Sequence, residues 1–78
     1  MATHFVVQAF KKQGRKIIPD QPGKARNAED AIDKARRLKD HRVGVVAYLI
    51  EVDPEVDYWG EPEVLFRTGE LPPDFDDI

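Results

Sequence analysis

The feature that most constrains the fold is a ten-residue run, Val43 to Val52, that is apolar on both of its alternating faces. Its two faces carry Val43, Val45, Ala47 and Leu49 on one side and Val46, Tyr48, Ile50 and Val52 on the other. Because successive side chains of a strand point to opposite sides of a sheet, this run predicts a central strand with apolar neighbours on both sides. Its uninterrupted apolar part, residues 43–50, is too short to span a bilayer.

The second strong pattern is an amphipathic helix predicted over Asn27 to Asp40. Apolar residues recur at helical spacing along one side: Ala28, Ala31, Ile32, Ala35 and Leu38. Asn27 is a favourable N-cap, and Asp30 stands three residues later in the place of a capping-box acid. Acidic residues in the first turn and basic residues in the last follow the order that the helix dipole favours.

Three further strands are predicted from β-branched and aromatic content at residues 3–12, 15–18 and 63–68. A turn at residues 13–14 joins the first two into a hairpin, and the prolines and glycine of residues 19–23 predict a rigid loop. The predicted order is ββαββ. Long apolar strands belong in the centre of a sheet and short charged ones at its edges, so we expect an α+β fold.

The expected architecture is a four-stranded antiparallel sheet in the order 2-1-3-4, with the helix packed on one face. Residues 1–70 would form a single α+β domain, and residues 71–78 an acidic, flexible C-terminal tail. With 78 residues the chain has room for one core only.

Composition points to a small cytoplasmic protein. The chain has no cysteine, which excludes a disulfide framework and thiolate chemistry, and its N-terminus lacks the pattern of a signal peptide. We expect no association with a membrane.

The net charge of −3 conceals an asymmetry between the two halves of the chain. Residues 1–42 carry eleven Lys and Arg against five acids, a net +6, whereas residues 43–78 carry one Arg against ten acids, a net −9. Such asymmetry can mark a nucleic-acid surface. We favour the other interpretation, that the halves are neighbours in one sheet and complement each other, because the acids would repel phosphate.

Catalytic residue types are scarce, so we expect no enzyme and no cofactor. The chain has neither serine nor cysteine, and its two threonines, Thr3 and Thr68, lie in no nucleophile motif. His4 and His41 lack the spacing of a metal or general-base motif.

Asp53, Glu55 and Asp57 resemble the alternating acids that open an EF-hand loop. That loop needs glycine at its sixth position and a bidentate acid at its twelfth, where this chain has Tyr58 and Val64. We therefore predict no specific metal site, and a weak surface cation site stays open.

One helix can cover only one face of the sheet, although both faces of the central strands are apolar. An uncovered apolar face usually marks an interface. Either the tail folds back with Leu71, Phe75 and Ile78, or a second copy of the chain covers the face. We favour a homodimer, or an unidentified protein partner, and hence a non-enzymatic protein–protein interaction module. The candidate interface residues are Phe10, Val46, Tyr48, Ile50, Tyr58 and Trp59.

The alternative is weak nucleic-acid binding through the basic hairpin tip and the helix end. The candidate phosphate-backbone contacts are Lys11, Lys12, Arg15, Lys16, Arg36 and Arg37. No recognised nucleic-acid motif accompanies these residues, so solvated surface charge is the favoured interpretation.

The strings FVVQAF, GVVAYLIEVDPEVDYWGEPEVLF and RTGELP occur in that order. With them the chain resembles a group of short, uncharacterised bacterial proteins that share FVVQ, GVVA and D-P-x-x-D-Y-G-E-P motifs. The resemblance covers residues 4–73, and Trp59 is an additional residue within the last motif. It implies an intact single-domain protein with a boundary near Pro73, and it implies no activity, cofactor or catalytic residue.

Overall fold

The structure, a computed structural model, describes residues 2–72 of the chain. In chain order its elements are the strands β1 (Ala2–Gln13), β2 (Lys16–Pro19) and β3 (Gly23–Ala25), the helix α1 (Ala28–Leu38), and the strands β4 (Gly44–Asp53), β5 (Tyr58–Trp59) and β6 (Glu63–Gly69). The predicted α+β class is confirmed: one helix accompanies an antiparallel sheet.

The two long strands β1 and β4 form the centre of the sheet and pair antiparallel from Ala2 opposite Val52 to Phe10 opposite Gly44. Two short strands, β2 and β3, pair with successive parts of β1 on its other side. In the same way, β5 and β6 both pair with β4. The sheet therefore has six strands with the order β2-β1-β4-β5, in which β3 lies beside β1 and β6 beside β4.

The predicted four-stranded sheet with the order 2-1-3-4 differs from this in detail, because each edge is shared by two strands. Pro19 and Pro22 lack the N–H that a ladder needs, so the first edge strand ends at Pro19 and pairing resumes at Gly23. At the other edge, the predicted loop contains the short strand β5, which pairs with Val52 and Asp53.

The helix forms where the sequence predicts it. The Asn27 side chain caps it by accepting a hydrogen bond of 2.8 Å from the Asp30 backbone N–H. Ala31 and Ala35 are fully buried against the sheet, in one cluster with Val7, Ala9, Val45 and Ala47. Small alanine side chains let the helix approach the sheet closely.

A β-bulge in β6 strengthens this helix-side core. Ala47 pairs with Phe66 whereas Tyr48 pairs with Val64, so Leu65 is an extra residue in the ladder. As a result, Leu65 and Phe66 both pack against the helix-side cluster. Val64 stays on the opposite face, beside Tyr48.

Most of the predicted tail, residues 73–78, lies outside the described residues, and so do Phe75 and Ile78. Within residues 2–72, no helix is long and apolar enough to cross a membrane.

Candidate interaction surface

The face of the sheet that points away from the helix is divided into two halves. One half is covered by Leu71, which is only 9% exposed. Beneath it Phe10 and Val46 are each 1% exposed, and Ile17 and Val43 pack around them. We call this group, residues 10, 17, 43 and 46 under Leu71, the closed half.

The chain reaches this position by a sharp turn after β6. Gly69 has a φ of +79°, a conformation that side chains rarely adopt, and the Glu70 N–H donates a hydrogen bond of 2.8 Å to the Val43 carbonyl oxygen. A Cβ at Gly44 would overlap the Glu70 carbonyl oxygen. Two glycines therefore permit the close backbone approach that places Leu71 on the sheet.

The other half of the same face has a cavity of about 270 Å³. Its lining residues are His4, Val6, Lys24, Tyr48, Ile50 and Trp59. We call these six residues the open half. Sheet register explains their assembly: Val6 pairs with both Lys24 and Tyr48, and His4 pairs with Ile50. Residues that pair across neighbouring strands point to the same side, so four strands contribute to one surface.

Aromatic side chains dominate the rim of the open half. Trp59 is 68% exposed although it is the largest apolar side chain of the protein, and Tyr58 is 48% exposed. An adjacent cavity of about 330 Å³ lies between these rings and the loop after β4. Its lining residues are Ala2, His4, Val52, Pro54, Asp57, Tyr58 and Trp59.

Tyr48 lies at the border of the two halves and is partly buried. Burial raises the pKa of the Tyr48 phenol above its ordinary value of 10.0, since the charged form would lose hydration. The phenol is therefore neutral at physiological pH and offers one O–H donor and an acceptor oxygen.

The structure brings together only some of the predicted interface residues. Tyr48, Ile50 and Trp59 meet around the first cavity, and Tyr58 lines the second. Phe10 and Val46, in contrast, lie under Leu71 in the closed half. His4 and Lys24 are additional. The alternation of the first strand places His4 on this face, whereas no strand is predicted at Lys24, which follows the predicted loop of residues 19–23.

The predicted phosphate contacts are spread over four places. Lys11 and Lys12 line a cavity of about 410 Å³ with Asp40, His41, Arg42 and Val43. Arg15 and Lys16 are exposed at the β1–β2 turn. On the helix, the Arg36 guanidinium lies 5.8 Å from the centre of the Phe66 ring, towards β6, whereas Arg37 lines a cavity beside Gly23, at the opposite edge.

Two of the cations at the cavity lined by Lys11 and Lys12 already form ion pairs with acidic side chains. The Arg42 Nε atom lies 2.9 Å from Asp20 Oδ2, and the Lys12 ammonium lies 3.9 Å from a Glu70 carboxylate oxygen. A hydrogen bond from the Gln21 N–H, followed by that from Arg42, lowers the pKa of Asp20. Weak nucleic-acid binding stays an alternative prediction, with fewer unpaired cations than the sequence suggests.

No group of three or more His, Asp or Glu side chains within residues 2–72 is placed to hold a metal ion. The acids of the β4–β5 turn do not converge on one point: the Asp53 carboxylate accepts a hydrogen bond of 3.2 Å from the Glu55 N–H, and Asp57 lines the second cavity.

Comparison with known proteins gave no match to a family model, a curated protein or a solved structure.

Proposed function

We propose that this protein is a non-enzymatic interaction module that associates with a protein surface, and first of all with a second copy of itself, through the open half of its sheet. The observation that carries the proposal is the position of Trp59, which is 68% exposed beside a cavity lined by apolar side chains of the two central strands, Val6, Tyr48 and Ile50. A small domain gains stability by burying its single tryptophan, so a tryptophan left at a cavity rim favours a partner.

The physical character of the surface supports protein rather than small-molecule recognition. Hot spots of protein interfaces are enriched in tryptophan and tyrosine, and three such rings lie within this region: Tyr48, Tyr58 and Trp59. The cavities are shallow depressions of a sheet face, whereas substrate pockets usually enclose most of their ligand. A cytoplasmic location stays a prediction from composition.

The proposal is tested by sedimentation equilibrium of the full chain up to high micromolar concentration. We expect the wild-type protein to associate and the Trp59→Ser variant to remain monomeric, because serine removes the ring that covers the partner. Trp59 is mostly exposed, so the variant should fold, which circular dichroism checks.

Val56→Ser is the matched control, since Val56 is 70% exposed but lines neither cavity, and the change adds no charge beside Asp57. It should associate like the wild type. The Ile50→Asp variant adds a second readout: a folded monomer supports an interface at Ile50, and unfolding assigns Ile50 to the core. A wild-type chain that is monomeric at high micromolar concentration contradicts self-association.

A further inference from the structure

We propose that the open half joins two copies of this chain about a two-fold axis, with Lys24 of each copy facing Asp57 of the other. This inference rests on the proposed function and specifies how the two copies meet.

The cavity of the open half and the second cavity are adjacent, and we call the two together the groove. The first cavity extends from Lys24 to Trp59, and the second from Trp59 to Asp57; both have His4 and Trp59 in their lining. The groove therefore has aromatic and apolar walls, and Trp59 lines both of its cavities. Its two ends carry opposite charges, the Lys24 ammonium at one end and the Asp57 carboxylate at the other.

The ends are far enough apart to act as separate contacts. Lys24 lies opposite Val6 in the edge strand β3, whereas Trp59 lies opposite Val52 on the far side of β4. Lys24 and Trp59 are thus separated by three strand spacings across the sheet and by about four residues along β1. Together these correspond to a diagonal distance on the order of 20 Å between the two residues. Asp57 lies beyond Trp59 in the β4–β5 turn.

A surface with this charge distribution is complementary to itself. When two copies face each other, their two-fold axis lies in the plane of the interface and reverses one direction within that plane. An axis across the groove therefore places the positive end of each copy on the negative end of the other, and the charge pair forms twice. The axis then passes between Lys24 and Trp59, near His4 and Ile50. Trp59 lies to one side of the axis and would be covered by the other copy.

The chain's own C-terminal residues fit the groove less well by charge. Residues 74–78 carry three aspartates and no cation. A purely acidic segment would be attracted by Lys24 and repelled by Asp57. A second copy, in contrast, places an opposite charge at each end of the groove.

The experiment is a charge-reversal exchange on the full chain, followed by sedimentation equilibrium. Lys24→Glu creates two like-charge acidic pairs in the dimer, and Asp57→Lys creates two like-charge basic pairs. We expect each variant alone to raise the dimer Kd by roughly tenfold, because two surface attractions become repulsions. An equimolar mixture of the two variants should recover the wild-type Kd, since every contact in the mixed dimer then joins opposite charges.

Two further variants separate charge from folding. Lys16→Glu reverses an exposed charge at the β1–β2 turn, away from the groove, and should leave the dimer Kd unchanged. Asp57 has a φ of +53°, which asparagine tolerates, so Asp57→Asn removes the charge while keeping the backbone. It should raise the dimer Kd by less than Asp57→Lys does.

The outcomes distinguish this arrangement from the proposed function as a whole. If Trp59→Ser dissociates the dimer but the charge reversals have no effect, or if the mixture fails to recover the wild-type Kd, the two-fold arrangement is wrong and the interaction surface remains. If the wild-type chain is monomeric at high micromolar concentration, the inference and the self-association it rests on are both overturned, in favour of the tail or a different partner.

Discussion

The closed and open halves belong to the same face of the same two central strands, yet they differ in burial. In the closed half Phe10 and Val46 are each 1% exposed, because Leu71 packs over them. In the open half Val6 and Ile50 are only partly buried, and Trp59 is 68% exposed. Both halves carry apolar side chains in register, so strand composition does not explain the contrast.

The contrast shows how little additional chain is needed to turn an apolar sheet surface into core. A single leucine, brought back over the sheet by the turn at Gly69, completes the closed half. No described residue does the same for the open half. Stability should therefore depend mainly on the closed half, and association on the open half.

The largest effect should come from comparing one truncation in each half. Phe10→Ala removes a fully buried ring and should lower the free energy of unfolding by about 3–5 kcal/mol. Val6→Ala removes a smaller, partly buried side chain and should cost about 1 kcal/mol or less. Urea denaturation followed by circular dichroism measures both values. Equal losses in the two variants would contradict the division of the face.

Removing the cover itself should have an intermediate effect. Leu71→Ala should lower the free energy of unfolding by about 2 kcal/mol, since it deletes a buried aliphatic side chain near the end of the described chain. It should also expose Phe10 and increase the binding of a hydrophobic dye, which is measured by fluorescence. Glu70→Ala is the control, because it removes an exposed neighbour without uncovering the face. If Leu71→Ala changes neither quantity, Leu71 does not close this half.

The smallest expected effect is a pH dependence of stability at the edge of the closed half. Hydrogen bonds from the Gln21 N–H and from Arg42 hold the pKa of Asp20 below its ordinary value of 3.8 in the folded state. The ionised carboxylate therefore stabilises the fold above that ordinary pKa, and this contribution is lost as the pH falls through the lower folded pKa. When thermal unfolding is measured between pH 2 and 6, the melting temperature of Asp20→Asn should fall less steeply with decreasing pH than that of the wild type.

The Asp30→Asn variant gives a comparison on the helix side. The Arg26 N–H, followed by Lys34, lowers the pKa of Asp30, so its acid dependence has the same sign. If the melting temperature of Asp20→Asn falls with decreasing pH as steeply as that of the wild type, while that of Asp30→Asn does not, the Asp20–Arg42 pair makes no contribution to the stability of the fold.

Local patterns in the sequence were sufficient for the elements with strong periodicity. The helix begins at its predicted cap, Asn27, and the two long strands lie in the centre of the sheet. These predictions succeed because capping and alternation depend on residues within one or two turns of each other. The split edges were missed: β3 and β5 are three and two residues long, and pairing with a neighbour, not local preference, holds them in place.

The candidate surface was predictable only where it follows from alternation within one strand or from residue type. Alternation along β4 assigns Tyr48 and Ile50 to one face, and the enrichment of tryptophan at interfaces makes Trp59 a candidate contact. Lys24 was missed because nothing in its neighbours indicates that it pairs with Val6. Phe10 and Val46 were predicted as interface residues because alternation determines which face of the sheet a side chain is on. It does not determine whether another segment of the chain, here Leu71, packs over that face.

The sequence by itself determined the helix, the central strands and the two apolar faces, since these follow from the order of neighbouring residues. Only the tertiary structure decided that Leu71 covers half of one face, and that Lys24 and Asp57 line two adjacent cavities that share Trp59. Those arrangements join residues that are far apart in the chain. They depend on sheet register and on the backbone approach that Gly44 and Gly69 permit.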